Sequence, residues 1–407
     1  MSPPGPRGGP NSPTRSSLQA DGFGRSGTGE RADGVDERTG ATGPARNPTA
    51  PTGDGDRPRS GRARRTLTVV VGVVVLVAAL LAGFAVGRSR TADANACPVT
   101  TVAGRVLPSI VTITARRGPA TSTGSGEVIR SDGFILTNNH VISTAAGGGT
   151  VQVLFSDGTT LPASITGRDP RTDLAVIKVD AGRPLPVIPI GDSTGVQVGQ
   201  PVVVLGAPLG LASSVTSGIA SALDRTIEVP ADNGQTALIL SGIQTDAAIN
   251  PGNSGGAMTD CSGDLIGIPT TGATVPNESG QASAGSVGLG FAIPVGFATS
   301  VADEIIATGT VRHSAFGISV ARIPPGVAAS SGSPEGLFVQ AVTPGGPAAD
   351  AGLQAGDVIT AIDGVPATDP NQLAAITLTK RPGDVVRLSY ERGKRSAEAS
   401  VTLGAKP

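Results

Sequence analysis

Hydrophobic and polar positions divide this chain of 407 residues into stretches of different character. Residues 1–65 are Gly, Pro, Ser, Thr, Arg and Asp with almost no large apolar side chain, so burial cannot offset the entropy of ordering and a disordered tail is expected. From Thr66 to Val86 there is no charge, and runs such as Val73-Val74-Val75-Leu76-Val77 continue to Leu80-Leu81. At helical rise this is long enough to cross hydrocarbon roughly 30 Å thick, so residues 66–87 read as a transmembrane helix followed by a stalk at 88–101. From about Val102 to Pro294 the pattern changes to short β-branched runs broken by Gly, Pro and Asp. Examples are Ile110-Val111-Thr112-Ile113, Val151-Gln152-Val153-Leu154-Phe155 and Pro201-Val202-Val203-Val204-Leu205. That spacing predicts an antiparallel all-β domain, sandwich or barrel, with the Asp157-Gly158 pair marking a hairpin. The roughly 190 residues suffice for two small barrels with a cleft between them.

Apolar positions at Val301, Ile305 and Ile306 predict an amphipathic helix over Phe297 to Ala307, broken by Thr308-Gly309-Thr310. A domain boundary there gives an all-β unit at 102–308 and a smaller α+β unit at 309–407. The latter is expected to hold strands at Gly336–Val339 and Asp357–Ile362, helices near Pro347–Gly352 and Asn371–Thr379, and a hairpin of Val385–Tyr390 with Ala397–Leu403.

Charge adds orientation. Arg57, Arg59, Arg62, Arg64 and Arg65 precede the apolar run and only Arg88 and Arg90 follow closely, which puts the amino terminus in the cytoplasm and the rest outside. A cleaved signal peptide ending at Ala94-Asn95-Ala96 is the alternative, opposed by the long polar leader. With 31 basic against 32 acidic residues, no electrostatic ground exists for a nucleic-acid partner. The two cysteines, Cys97 and Cys261, favour one disulfide in an exported domain, with two free thiols as the alternative.

Chemistry enters at Gly252-Asn253-Ser254-Gly255-Gly256, where glycines flank a serine suited to be an exposed nucleophile. Such a serine needs a base and an acid to orient it. Of the two histidines, His140 lies upstream in Thr137-Asn138-Asn139-His140-Val141, and Asp173 opens the apolar run Leu174-Ala175-Val176-Ile177. The order His140, Asp173, Ser254 is that of the double-barrel serine proteases, in agreement with the all-β pattern. The glycines around Ser254 let the backbone amides of Gly252 and Ser254 turn toward a developing oxyanion. His313 has no such company and is expected at the surface. Ala248, six positions before Ser254, would form an uncharged pocket floor, which points to cleavage after small or medium aliphatic residues.

These three segments, together with Gln244 to Ala257 and Gly288-Leu289-Gly290-Phe291-Ala292-Ile293-Pro294, resemble the HtrA/DegP serine proteases over residues 102 to 407. The resemblance implies a trypsin-like double β-barrel followed by a PDZ domain. His140 would be general base, Asp173 its orienting acid and Ser254 the nucleophile, with Gly252, Asn253 and Ser254 as the oxyanion hole. Ile249, Ala292 and Ile293 would line the specificity pocket beside Ala248. No cofactor or metal is implied. In the terminal unit, Ser314 to Val320 and Gly352 to Ile359 resemble an HtrA-type PDZ domain. Phe316 and Gly317 would hold a peptide carboxylate, with Ile318, Val320, Leu373 and Ile376 as walls for its last side chain. Members commonly assemble through aromatic residues near the start of the protease domain, yet Val99 to Ala115 has none, so a trimer is not implied for this possible homo-oligomer.

The function expected is a single-pass, membrane-tethered extracytoplasmic endopeptidase acting on misfolded or specific exported proteins. A non-catalytic scaffold working through its PDZ unit and a protease dormant until a ligand orders its loops are the alternatives. Glycine-rich stretches such as Thr270 to Val287 suit the dormant form.

Overall fold

In a computed structural model of the chain, residues 70–80, 97–207, 214–272 and 286–406 are described. The polar stretch 1–65, the stalk up to residue 96 and residues 66–69 and 81–87 of the expected span lie outside them. Residues 70–80 are helical and exposed (α1), and among the described residues no helix is long and apolar enough to cross a membrane. The chain divides into two units, Met1–Ser89 and Arg90–Pro407, so the second, which holds the two predicted domains together, is described by itself.

Its described part begins with Cys97, joined by a disulfide to Cys261 with 5.0 Å between Cα atoms, a normal span for a bridge. The helix α2 (Val99–Val106) follows, earlier than the expected boundary at 102, and buries Val102 and Val106.

The first closed barrel is built from β1 (Ile110–Arg117), β2 (Ala120–Arg130), β3 (Phe134–Asn138), β4 (Thr150–Leu154), β5 (Thr160–Asp169) and β6 (Leu174–Val179), in the order β1-β2-β3-β6-β5-β4. The short helix α3 (Asn139–Ile142) follows β3. A second closed barrel runs β10-β11-β12-β9-β8-β7. Its strands are β7 (Pro201–Gly206), β8 (Ser214–Pro230), β9 (Thr236–Thr245), β10 (Ala257–Thr259), β11 (Leu265–Gly272) and β12 (Gly290–Pro294). The expected hairpin at Asp157-Gly158 joins β4 to β5, with Gly158 at φ +84°.

Strands β3, β6 and β7 are apolar on both faces because both are buried. Alternation sends Ile135 and Ile177 into the first barrel, and Val202 and Val204 into the second. Their neighbours Leu136, Val176, Val203 and Leu205 point the other way, into one cluster shared by both barrels. The helix α4 (Val295–Thr308) covers that cluster with Val295, Ala298, Val301, Ala302 and Ile305. It starts two residues before the expected point and ends one residue after it, with Gly309 at φ +78° donating its N–H to the Ile305 carbonyl at 2.7 Å.

The terminal unit is a sheet in the order β14-β15-β16-β18-β19, with β17 beside β16. A separate pair, β13 (Ser314–Ala315) with β20 (Gly404–Ala405), closes its ends. The sheet strands are β14 (Ile318–Arg322), β15 (Leu337–Val342), β16 (Val358–Ile362), β17 (Val365–Pro366), β18 (Val385–Arg392) and β19 (Arg395–Thr402). The helices α5 (Pro325–Ser331), α6 (Pro347–Asp350) and α7 (Asn371–Thr379) complete it, α7 with the bounds that the sequence predicts.

Against expectation, His313 is buried at the junction of the two domains. Its Nε2 lies 2.9 Å from each carboxylate oxygen of Asp169, at the end of β5. Beside it Arg171 donates to Thr377 Oγ1 at 2.8 Å, and Asn371 Nδ2 donates to Glu228 Oε1 at 2.8 Å. A surface reading failed because the acid it meets lies 144 residues away in sequence.

One buried group opposes the fold. Glu127 in β2 pairs across the sheet with Ile110 and Leu136, which turns it toward the shared apolar cluster, and neither carboxyl oxygen has a hydrogen-bond partner among the described residues. Burial raises its pKa well above the usual carboxylate value, only partly offset by its own backbone N–H. The folded state therefore binds this proton more tightly than the unfolded one, and stability falls as pH rises above the unfolded value of about 4.3. Glu127→Gln should match the parent protein in acid and exceed it in stability toward neutral pH, a gap that calorimetric melting at a series of pH values will show. A gap independent of pH would contradict this.

Candidate active site

The end of β3, the start of α3 and the turn between β5 and β6 converge on one carboxylate. Asp173 has a left-handed backbone, φ +56°, which an aspartate tolerates better than most residues. Its carbonyl is held from two sides, by Asn138 Nδ2 at 2.9 Å and the Asn139 N–H at 3.0 Å. Its side chain is only 3% exposed and accepts from three donors. These are the His140 N–H at 3.0 Å, His140 Nδ1 at 2.8 Å and Thr270 Oγ1 at 2.6 Å. Such a set compensates a buried charge that would otherwise be costly.

With Nδ1–H directed at Asp173, the half-buried His140 ring leaves Nε2 as the free nitrogen. Burial disfavours the imidazolium, but the hydrogen bond and charge of Asp173, joined by the charge of Asp232, outweigh it and raise the His140 pKa above the ordinary histidine value. Asp232 is fixed nearby through Arg168, which also donates to Asn139 Oδ1 at 3.0 Å.

Ser254 completes the group from the second barrel. Its hydroxyl donates to the Thr270 carbonyl at 2.9 Å, and no hydrogen bond links it to His140 among the described residues. The loop before it is a turn closed by the Asn253 N–H on the Asn250 carbonyl at 3.0 Å, with Pro251 second and Gly252 third at φ +104°. Proline followed by a positive-φ glycine is the type II arrangement. Neither the Gly252 amide nor the Ser254 amide has a partner among the described residues, so both are available to an oxyanion. The Asn253 amide is not, because it closes the turn, and Asn253 contributes instead through Nδ2 to the Ala248 carbonyl at 3.3 Å.

The expected pocket residues separate. Ala248 is half-buried, while Ile249 and Ala292 pack together in the interior of the second barrel. Ile293, the next residue on β12, packs in the cluster shared by both barrels, on the opposite face from Ala292, and so is not brought to the same pocket. In the terminal unit, β14 is an edge strand, and Gly317 at φ +74° precedes it. Ile318, Val320 and Ile376 are partly exposed against the core, whereas Phe316 and Leu373 are buried within it. Sequence reading missed Thr270, which lies in β11 rather than in a glycine-rich loop, as well as Asp232 and Ser125. Residues 273–285 of the expected flexible stretch lie outside the described residues.

A model of the trypsin-like peptidase domain matches residues 124–268, and one of the PDZ domain matches residues 314–403. The solved structure of the HtrA-type protease AlgW with a decapeptide is 33% identical at a TM-score of 0.62, covering 76% of this chain and 99% of that one. The chain belongs to the HtrA-type serine protease family. Serine protease PepD of Mycobacterium tuberculosis is 39% identical over 312 residues, which make up 74% of this chain and 65% of that protein. A probable periplasmic DegP-like serine endoprotease of Brucella suis is 43% identical over 288 residues, 70% of this chain and 53% of that protein. The chain thus spans less than two thirds of the length of PepD and of the DegP-like endoprotease.

The electrostatic setting gives a direct test. Asp232→Asn removes a negative charge that favours the imidazolium, so the His140 ring should titrate at a lower pH in the variant than in the parent HtrA-type chain, by NMR of its ring protons. An unchanged titration would show that Asp173 alone raises it.

Proposed function

We propose that this chain is an extracytoplasmic serine endopeptidase in which Ser254 is the nucleophile, His140 the general base and Asp173 the group that orients it. The observation that carries this reading is the buried Asp173 carboxylate, hydrogen-bonded to His140 Nδ1 and to Thr270, whose own carbonyl holds the Ser254 hydroxyl. In the reaction, Ser254 Oγ attacks the scissile carbonyl as His140 Nε2 takes its proton. The negative oxygen is met by the Gly252 and Ser254 amides, and the proton passes to the departing amine. Water then repeats the sequence on the acyl-enzyme.

Substrates are unfolded or specific exported proteins, with peptide carboxyl termini adding to the open edge of β14. Support for the latter is the edge position itself, with Gly317 before it and Ile318, Val320 and Ile376 beside it. Residues 66–87 would tether the enzyme to the membrane with the catalytic part outside, supported by the uncharged apolar run and the arginines before it. The uncharged Ala248 supports cleavage after valine or alanine.

One observation favours a resting form of the same enzyme. Because the Ser254 hydroxyl donates to the Thr270 carbonyl and not to His140, it must exchange that acceptor for His140 Nε2 before attack.

Labelling the full chain with a fluorophosphonate, with and without a peptide ending in a free carboxylate, tests both forms. Ser254 should label, and Ser254→Ala should not. Labelling that needs the peptide would identify the resting form, and no labelling under any condition would favour a non-catalytic scaffold. His140→Ala should lower kcat by about 10⁴-fold or more. Among peptide substrates, one cleaved after valine should turn over faster than one cleaved after arginine, and the reverse order would refute the uncharged pocket.

A further inference from the structure

The loop that carries Ser254 is gripped by a residue of the opposite barrel. Ser125 lies in β2, is fully buried, and uses every polar atom it has. Its hydroxyl donates to the Gly252 carbonyl at 2.6 Å and accepts the Ala207 N–H at 2.7 Å. Its backbone N–H donates to the Ser254 carbonyl at 2.9 Å, and its own carbonyl accepts from Thr137 Oγ1 at 2.6 Å.

Within Gly252–Ser254 the first and last residues therefore have their carbonyls held by Ser125 while their amides stay unpartnered. We propose that Ser125 is a positioning residue for catalysis, a clamp that keeps the Gly252 and Ser254 amides aimed at the oxyanion. This rests on the reading of Ser254 as the nucleophile.

The argument is one of conformational freedom. Gly252 occupies φ +104°, and a glycine can leave such a conformation at little steric cost, so its sterics alone do not keep the two peptide planes in place. A hydrogen bond to its carbonyl fixes the Gly252–Asn253 peptide plane, which lies between the planes that carry the Gly252 and Ser254 amides. The clamp needs a group that donates to a carbonyl and accepts from an amide at once, which a hydroxyl does and a methyl cannot.

The space is sized for serine as well. A Cβ on Gly206 would lie 3.0 Å from Ser125 Oγ, and one on Gly256 would lie 3.1 Å from Ser125 Cβ. Ser125 is too deeply buried to touch substrate, so its effect must pass through the amides it orients. Those amides matter when charge develops on the substrate oxygen, which places the effect in kcat and in binding of tetrahedral adducts rather than in KM.

The experiment compares the full chain with Ser125→Ala and Ser125→Cys, on a peptide substrate cleaved after valine and with a peptide boronic acid as tetrahedral analogue. Cysteine keeps a group that donates and accepts, though weakly and from a larger atom, so it serves where the alanine variant leaves the Gly252 carbonyl and Ala207 N–H unpaired and does not fold.

The expected result is a kcat lower by roughly 10- to 100-fold, somewhat less than loss of an oxyanion donor itself. Affinity for the boronic acid should fall in step with kcat, with KM within about twofold of the parent. A kcat within about twofold of the parent in either folded variant, or a loss confined to KM, overturns the clamp. If the parent chain turns over and only the clamp result fails, the nucleophile reading stands. A parent that neither turns over nor labels overturns both.

Discussion

A carboxylate with 3% of its side chain exposed has no place among apolar strands unless the structure around it supplies the donors, and around Asp173 three elements do so. The end of β3 and the start of α3 bind its carbonyl through Asn138 and Asn139. His140 binds its carboxylate from the first barrel and Thr270 from the second. Removing His140 or Thr270 leaves the buried charge short of a partner, so the contacts that hold Asp173 also fix how the two barrels meet at this point. The site's geometry is thereby tied to the packing of both domain halves rather than to a loop free to vary.

The turn that leads into Asp173 also carries the junction with the terminal domain. Asp169 accepts from the Thr172 hydroxyl at 2.7 Å and faces buried His313, while Arg171, two residues before Asp173, reaches Thr377 of α7. The Arg171 carbonyl accepts the Leu238 N–H of β9 at 2.9 Å. A five-residue stretch thus contacts the first barrel, the second barrel and the PDZ domain. Its proline at 170 limits the backbone further, consistent with a stretch whose side chains are committed on three sides.

Much of this arrangement is legible in the sequence for reasons that can be named. Strands with two buried faces read as unbroken apolar runs, and Val202-Val203-Val204-Leu205 is one. The helix at 295–308 shows its face through Val301 and Ile305 and its end through Gly309. The order of His140, Asp173 and Ser254 is readable because glycines flank the serine, the chain has only two histidines and an apolar strand follows the aspartate. What escaped is what depends on partners distant in the chain. Ser125 stands between two glycines and looks like part of a turn until the second barrel is placed against it. Thr270 precedes a glycine-rich stretch and reads with it, although it belongs to β11. Ile293 was grouped with Ala292 by motif, where strand alternation sends it to the other face.

The glycines around Ser254 show how a motif can be right for a partly different reason. Freedom to present the oxyanion amides accounts for Gly252, whose positive φ the turn requires. It does not account for the next two. A Cβ on Gly255 would lie 2.3 Å from Thr137 Oγ1 and 2.5 Å from the Ser125 carbonyl, and one on Gly256 would lie 3.1 Å from Ser125 Cβ as well as 2.4 Å from the Leu205 carbonyl of its own barrel. At those positions the absent side chain is what lets the first barrel approach closely enough for Ser125 to reach the Gly252 and Ser254 carbonyls. Any larger residue would separate the barrels where Asp173 also needs Thr270 from the far side. The same pair of glycines therefore sustains the hydrogen bonds to the loop and the compensation of the buried acid, and the exposure of the serine follows from that close contact.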